Sequence, residues 1–446
     1  RVPRVLPDGR ASTIFDEFLI NLSGVAEQAA PGVLLVAGDV LLLFDHLQLS
    51  LRRHGVTGVA VAAPAAMGSR HGVYVGASTS QGRAAFLHKA DPTTLVAAGA
   101  IDGDGNVQID TGLVWLDVGA VRQMAALTAL PAVAALCGLP QPNAAHLRAN
   151  TPLNLYGDLL LPLADNTEQA DYLLDAGDGP ATPGLQAARQ LIWPHLRGLP
   201  FGVARLQPAV FVHFGTSEEY WRMVVADPSL AQTCDWMRCV AAWPIATQNP
   251  ARASHVAVNA ALGPLGPDLQ TGAVAGDTLL MVDSHLLHPP QTQGPAIIAR
   301  VQSRHPLALQ ADTVLDQLPV AQGYVTRLFG LRDDPKRRYP HPDATYLNQP
   351  WQTWLGRWNG DPALIWPGLP AEERTLWHAQ LFPIAADREQ SLALTLPLQD
   401  PAHAPPGWQA AWQAAPRLSL ASSFAQTDSR RLLNDIAALE DHIAAT

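Results

Sequence analysis

The sequence predicts an α/β protein in three parts, on three observations. A helical pattern at residues 12 to 29 feeds a short apolar run, Val33 to Val36, and apolar runs then alternate with helical stretches as far as residue 235. From His255 onward, Val256, Leu262, Val274, Leu280 and Leu286 fall on one six-residue register amid Gly, Pro and Asp turns, with Asp268 as a miss. That is the pattern of a parallel β-helix whose coils each bury one aliphatic residue. After Val320 the chain reads as helical and rich in tryptophan. The predicted organisation is an α/β core over 1–235, a β-helix over 236–312 and a helical C-terminal region over 313–446.

Taken in order, Ile14, Phe15, Phe18, Leu19, Leu22 and Val25 recur at helical spacing. Val33 to Val36 suits a strand buried on both faces of a parallel sheet, and it ends on Gly38-Asp39. Residues 46 to 54 predict a second helix stopped by Gly55, and Gly58 to Ala63 the next strand. Gly68 to Val75 and Ala84 to Leu87 predict strands joined by loops carrying polar groups, with a turn at Gln81-Gly82 between them and the second running into His88-Lys89-Ala90-Asp91-Pro92. Ile109 to Leu116 is a further strand. An Ala-rich helix follows over 118–136, interrupted at Pro131, and Asn154 to Asp158 opens another. Between Ala164 and Pro183 the shift to Asp, Gly and Pro predicts a loop. Ala209 to Phe214 is a strand that Gly215 turns into a helix. Trp351, Trp354, Leu355 and Trp358 share one helix face, a stripe that reads as packing more readily than as a sugar platform. Leu432, Leu433, Ile436, Leu439 and Ile443 close the chain on an amphipathic helix.

Composition bounds the partners. With 446 residues, 48% hydrophobic and 15% charged, the chain can bury a large core. A net charge of −10 offers no basic stripe to neutralise phosphates, which argues against nucleic acid and anionic membranes. Cys137, Cys234 and Cys239 are too scattered for a disulfide framework and fit a reducing compartment. No apolar run is long enough to cross a bilayer and no signal peptide opens the chain, so a cytoplasmic protein is expected. The first residue is Arg, as in a fragment or processed product.

The common catalytic signatures are absent: no Walker loop, nucleophile elbow, zincin helix or Gly-x-Gly-x-x-Gly turn occurs. What remains is polar residues at strand ends: Asp39, Arg70, His71, Lys89, Asp110, Asp158 and Thr216. Asp39 reads either as a turn residue or as a carboxylate holding a divalent metal beside a phosphorylated substrate. Lys89 is one of two lysines, with Lys336, in a chain that otherwise uses Arg. It reads equally as a surface lysine or as a point charge on a phosphate. Thr216 and Glu219 stand three apart as a capping box, and the same turn offers backbone N–H groups to an anion or a sugar.

The ordered series Gly38-Asp39, Gly68-Ser69-Arg70-His71-Gly72-Val73-Tyr74-Val75, His88-Lys89-Ala90-Asp91, Tyr156-Gly157-Asp158 and His213-Phe214-Gly215-Thr216-Ser217-Glu218-Glu219-Tyr220 resembles the L-fucose-1-phosphate guanylyltransferase (GDP-fucose pyrophosphorylase) family. That family includes the amino-terminal half of bifunctional fucokinase/guanylyltransferases. The resemblance runs on to the tail around Trp351 to Phe382. It implies a Rossmann-like nucleotidyltransferase core followed by a β-helix, and a Mg-dependent reaction of GTP with L-fucose 1-phosphate giving GDP-L-fucose and pyrophosphate. It implies that Asp39 holds the metal, that Lys89 and His71 face phosphate, and that Asp110, Thr111, Gly112, Gly215 and Thr216 line the sugar side. Arg70 and Asp158 complete the implied substrate contacts. A fused fucokinase domain is an implied partner.

Two departures qualify the resemblance. The family's Gly-rich triphosphate loop is expected before residue 1, with Arg1-Val2-Pro3-Arg4 just beyond it, and Phe214 stands where related enzymes carry a second metal-binding Asp. The alternatives are a catalytically incomplete sugar-phosphate-binding or structural domain of a fucokinase fusion, and a nucleotidyltransferase for another sugar.

Overall fold

The computed structural model of the protein describes residues 1–27, 29–45, 49, 51, 54–76, 84–137, 153–176, 181–243, 255–263 and 278–445. The fold is mixed α/β with parallel and antiparallel sheets, in two compact units: Phe15–His213, and Arg1–Ile14 together with Phe214–Thr446. Where the sequence sets boundaries at 235 and 312, the units divide at 213. No helix among the described residues is long and apolar enough to cross a membrane.

In the Phe15–His213 unit, helix α1 (Ile14–Ala26) precedes strands β1 (Gly32–Val36), β2 (Val40–Phe44), β3 (Val56–Pro64), β4 (Gly72–Val75), β5 (Ala85–His88), β6 (Asn106–Asp117), β7 (Phe201–Leu206) and β8 (Ala209–His213). The main sheet has the order β5-β4-β6-β3-β7, with β1 also paired to β6, while β2 and β8 form a separate antiparallel ribbon. Val25 packs with Val40, Leu42 and Val59, whereas Phe15 and Leu19 of the same helix are exposed.

The expectation of a strand at Val33 to Val36 holds, but its setting is corrected. It pairs antiparallel to β6 and Val33 is 41% exposed, so it is not buried on both faces of a parallel sheet. Burial on both faces belongs to β3 and β6, and β3 with β7 is the parallel pair of this sheet. An unbroken aliphatic run marks strand propensity; nonlocal pairing decides which strand lies at the centre.

β6 is long enough, at 12 residues, to serve two partners along one edge. β3 follows its other edge throughout. On the shared edge, β4 pairs at Gln108 and Ile109, and β1 from Leu113 to Asp117. The strands β1 and β4 therefore stop toward each other, and Asp110 to Gly112 lies between their ends.

Helices α2 (Ala65–Gly68), α3 (Pro92–Ala97), α4 (Val118–Thr128), α5 (Pro131–Cys137), α6 (Gln169–Leu174) and α7 (Pro183–Leu196) complete the unit. The break expected at Pro131 separates α4 from α5, with proline opening the second helix, where its missing N–H is harmless. Two expectations fail. The segment Ala164 to Pro183 is not all loop, since α6 buries Tyr172 in the core with Phe86, Ile192 and Phe201. Of the helix expected at 46–54, the described residues Leu49, Leu51 and His54 are not helical, and the others lie outside the described residues, as does Gln81-Gly82.

In the other unit, β9 (Cys239–Trp243), β10 (His255–Leu262), β11 (Leu279–Leu286), β13 (Ala296–Ala299) and β16 (Thr313–Val320) stack in parallel, flanked by the short strands β12 (Gln291–Thr292), β14 (Gln302–Ser303) and β15 (Ala308–Leu309). Leu279, Ala296 and Thr313 fall in register from rung to rung. Val256, Leu262, Leu280 and Leu286 are buried there as expected, while Asp268 and Val274 lie outside the described residues. One column of the ladder is left-handed in successive rungs: Ala241, Asn259, Asp283 and Arg300, at φ 45°, 48°, 49° and 59°. Asn259 Nδ2 donates to Asp283 Oδ1 at 2.7 Å within it.

The region after Val320 is only partly helical. β17 (Gly323–Gly330) turns back antiparallel onto β16, so the same sheet continues past residue 312. β18 (Thr345–Tyr346) and β19 (Gln349–Pro350) form a small pair, and β20 (Phe382–Ala385) with β21 (Arg417–Leu418) extends the sheet of β16 and β17. The tryptophans pack inward: Tyr346 stacks on Trp351 and meets Trp354 edge-on, and Trp366 and Trp412 are buried, while Trp377 is exposed. The helix Ser429–Ala444 lays Leu439 and Ile443 on Ala261 of β10.

Candidate active site at a break in the sheet edge

The point where β1 and β4 stop along β6 gathers most of the residues singled out in the sequence. β1 ends with Ala37 N–H donating to Gly112 O at 2.9 Å, which sets the Gly38-Asp39 turn beside the middle of β6. In β4, Val73 faces Ile109, so Gly72 and His71 follow next to Asp110 and Thr111. In β5, His88 faces Gly72, which puts Lys89 opposite His71 just beyond the ladder. The β2–β8 ribbon pairs Val40 with His213 and brings His213 to Asp39, Nε2 to Oδ2 at 3.5 Å. The His71 ring stands edge-on to His213 at 5.5 Å and to Phe211 at 5.6 Å. Asp39, His213, His71 and Lys89 thus come from four strand ends to one neighbourhood, and Asp110 joins them from the middle of β6.

Asp110 is its buried carboxyl. Tyr74 Oη donates to Oδ1 at 2.7 Å, the Gly112 N–H donates to Oδ2 at 2.9 Å, and the Tyr156 hydroxyl adds a third bond. Burial pushes the carboxyl up to about 6 against the opposing pull of those bonds. The same burial, with the Asp110 charge alongside, holds the Tyr74 phenol well above its ordinary value. Gly112 is required here. Its φ is +76°, and a Cβ would lie 2.5 Å from the Ala37 Cβ, so a side chain would push away the turn that carries Asp39. Thr111 is buried and donates to Val59 O at 2.8 Å, where the β3–β6 pairing is irregular. Its hydroxyl therefore serves the sheet.

Lys89 and Arg70 are exposed and half-buried His71 lies between them in the layout. Lys89 has φ 48°, a left-handed conformation that is uphill for any residue with a Cβ. Before it, the buried His88 ring sets Nδ1 3.1 Å from Asp175 Oδ2; after it, Asp91 caps α3 by accepting from the N–H groups of Thr93 and Thr94.

Asp158 requires correction as a direct substrate contact. Its side chain is 2% exposed, with Oδ1 accepting from Arg189 Nε at 2.7 Å and Oδ2 from the Asn154 N–H at 2.5 Å. Both oxygens are committed inside the unit. Gly215 and Thr216 follow β8 in the chain but belong to the other unit. Thr216 forms the expected capping box: its Oγ1 accepts from the Glu219 N–H at 3.1 Å and Glu219 Oε2 from the Thr216 N–H at 3.2 Å.

Tyr74, Tyr156, His213, Asp175 and Arg189 are not singled out in the sequence as site residues. An aromatic residue in a strand reads as packing, and Arg189 sits on α7 with no acidic residue near it in the sequence. The usable signal is charge: a buried amphipathic helix that retains one Arg implies a carboxylate facing it.

Among the described residues, no group of three or more His, Cys, Asp and Glu is placed to hold a metal ion. Asp39 is a half-exposed carboxylate, and one such group suits Mg²⁺, which takes one or two carboxylates and draws its other ligands from phosphates and water.

A sequence model of the fucose pyrophosphorylase domain matches residues 1–387. A protein of Arabidopsis thaliana, described as a bifunctional fucokinase/GDP-fucose pyrophosphorylase, is 25% identical over 402 residues, covering 85% of this chain. The chain spans 35% of the length of that relative. A solved structure from Thermus thermophilus, described as a mannose-1-phosphate geranyltransferase, covers 72% of each chain at 10% identity with a TM-score of 0.23, a likeness too slight to argue from.

Proposed function

This chain belongs to the fucose pyrophosphorylase domain family, and from that premise we propose that it transfers GMP from GTP to L-fucose 1-phosphate, giving GDP-L-fucose and pyrophosphate. The observation that supports the reading is the meeting of Asp39, His71, Lys89 and Asp110 at the break in the edge of one sheet, in a chain of this family. A phosphate oxygen of the sugar phosphate attacks the α-phosphorus of GTP. The new P–O bond forms as the bond from that phosphorus to the oxygen bridging to the β-phosphate breaks, and pyrophosphate leaves with the electron pair.

Such a displacement asks the protein for position and charge. Lys89, Arg70 and His71 hold the sugar phosphate, Lys89 as a point charge and Arg70 as a fork. On the family resemblance we keep Asp110 and Gly112 on the sugar side, where the Asp110 carboxyl, bonded by the Tyr74 hydroxyl and the Gly112 N–H, forms the floor beneath the sugar. Asp39 would hold Mg²⁺, which when bound neutralises charge on the phosphates. Asp158 acts through Arg189 as a structural anchor. We read the parallel ladder of the other unit as a β-helix, and infer a cytoplasmic enzyme that works beside a fucokinase.

A pyrophosphate-release assay over a panel of nucleotides and sugar 1-phosphates tests the proposal. Release with GTP and L-fucose 1-phosphate above all other pairs is expected. Turnover favouring another sugar or nucleotide would replace the substrate assignment, and binding of the sugar phosphate without release would reduce the protein to a binding domain.

A further inference from the structure

We propose that Asp175 is a positioning residue which, through His88, fixes the main chain of Lys89 so that its ammonium is presented at the sheet edge; this rests on the phosphate role given to Lys89 above. Lys89 holds φ 48° although no glycine stands there. A conformation of that kind persists only where the surroundings over-determine it. They do so on both sides. The His88 side chain is 3% exposed, with Nδ1 3.1 Å from Asp175 Oδ2. Asp175 is itself held, since its backbone carbonyl accepts from Arg189 Nη1 at 2.8 Å and its carboxylate lies 3.7 Å from Arg189 Nη2. Arg189 is anchored in turn by Asp158 at 2.7 Å. No slack is left beside the ring: a Cβ on Gly157 would stand 3.1 Å from Asp175 Oδ2 and 3.2 Å from His88 Cε1. On the far side, Asp91 Oδ1 accepts from the N–H groups of Thr93 and Thr94 at 2.8 and 3.0 Å.

Lys89 and Ala90 are therefore a two-residue bridge between a buried imidazole and a helix cap. The lysine stem has four rotatable carbons, and an ammonium on so loose a tether favours one phosphate position only if its Cα is fixed. The buried chain Asp158–Arg189–Asp175–His88 supplies that fixed point without touching the ligand.

Two measurements on the full chain test this. By calorimetry with L-fucose 1-phosphate, Lys89→Ala and Asp175→Ala should each weaken binding by about tenfold, and Asp175→Asn, which keeps an acceptor for His88, should restore most of it. If Lys89→Ala binds as tightly as the parent, the phosphate role falls and the inference with it. If Lys89→Ala weakens binding and Asp175→Ala does not, the phosphate role stands and the positioning role is overturned. Independently of ligand, Lys89→Gly should relieve the left-handed strain and raise Tm by about 2 °C. In the Asp175→Asn chain, where the clamp survives, the gain should persist; in Asp175→Ala it should vanish. An equal gain in both chains would overturn the clamp.

Discussion

Tyr74 Oη lies 2.7 Å from Asp110 Oδ1 and donates its hydrogen to a carboxyl sealed within the sheet. The bond opposes the cost of burial without cancelling it, so the group titrates at about 6 in the folded protein and near its ordinary value of 3.8 when unfolded. Between those values the folded chain keeps a proton that the unfolded chain has released, so this group's contribution to stability falls as pH rises from 4 through 6. Asp110→Asn mimics the neutral form. Relative to the parent, it should gain about 3 kcal/mol between about pH 4 and about pH 7, read from urea unfolding at each pH. A difference that does not change with pH would return Asp110 to the ordinary carboxylates.

The pairing of Arg189 with Asp158 predicts an asymmetric loss. Arg189→Ala strands a buried carboxylate and should cost about 3–5 kcal/mol in chemical denaturation. Removing both charges with Arg189→Met and Asp158→Asn together should cost less than the single change, because the fully buried carboxylate goes with its partner and the more exposed Asp175 keeps His88 beside it.

For Asp39 the expectation is functional. The side chain is 53% exposed in a turn, so Asp39→Asn should leave the unfolding free energy within about 0.5 kcal/mol of the parent. Pyrophosphate release in the presence of Mg²⁺ should fall about a hundredfold or more. Undiminished turnover would reject the metal role.

Gly112→Ala joins the two kinds of effect. The new methyl meets Ala37 and the backbone is left-handed, so a loss of about 2 kcal/mol or more is expected in thermal unfolding. The Gly38-Asp39 turn should shift with it, and Gly112→Ala combined with Ala37→Gly should recover part of the loss by removing the opposing Cβ.

Much of this is legible in the amino-acid sequence. The strands around Gly58 to Ala63, Gly72 to Val75, Ile109 to Leu116 and Ala209 to His213 can be found because alternation or apolar runs mark strands locally, and the Thr216 cap because its chemistry spans only three residues. The setting of Val33 to Val36 escapes a sequence reading because register is a property of two distant segments. Asp39, Arg70, His71, Lys89 and Asp110 stand out as polar residues at strand ends, and the folded chain does bring those segments together. Asp158 misleads because charge in a sequence does not disclose burial; its partner lies 31 residues away on α7. Tyr74 and Tyr156 carry no mark distinguishing a hydrogen-bonding phenol from a packing ring.

Two strands that halt against a third leave the turn between them open while the third strand is packed. Among the described residues a Cβ on Gly38 would meet nothing within 4 Å, whereas a Cβ on Gly112 runs into Ala37. Turns on the near side can lengthen or change composition while the long strand beneath stays as it is. Descendants of this scaffold can thus acquire new appetites by trading hairpin tips, and the framework that makes them proteins at all need not be renegotiated.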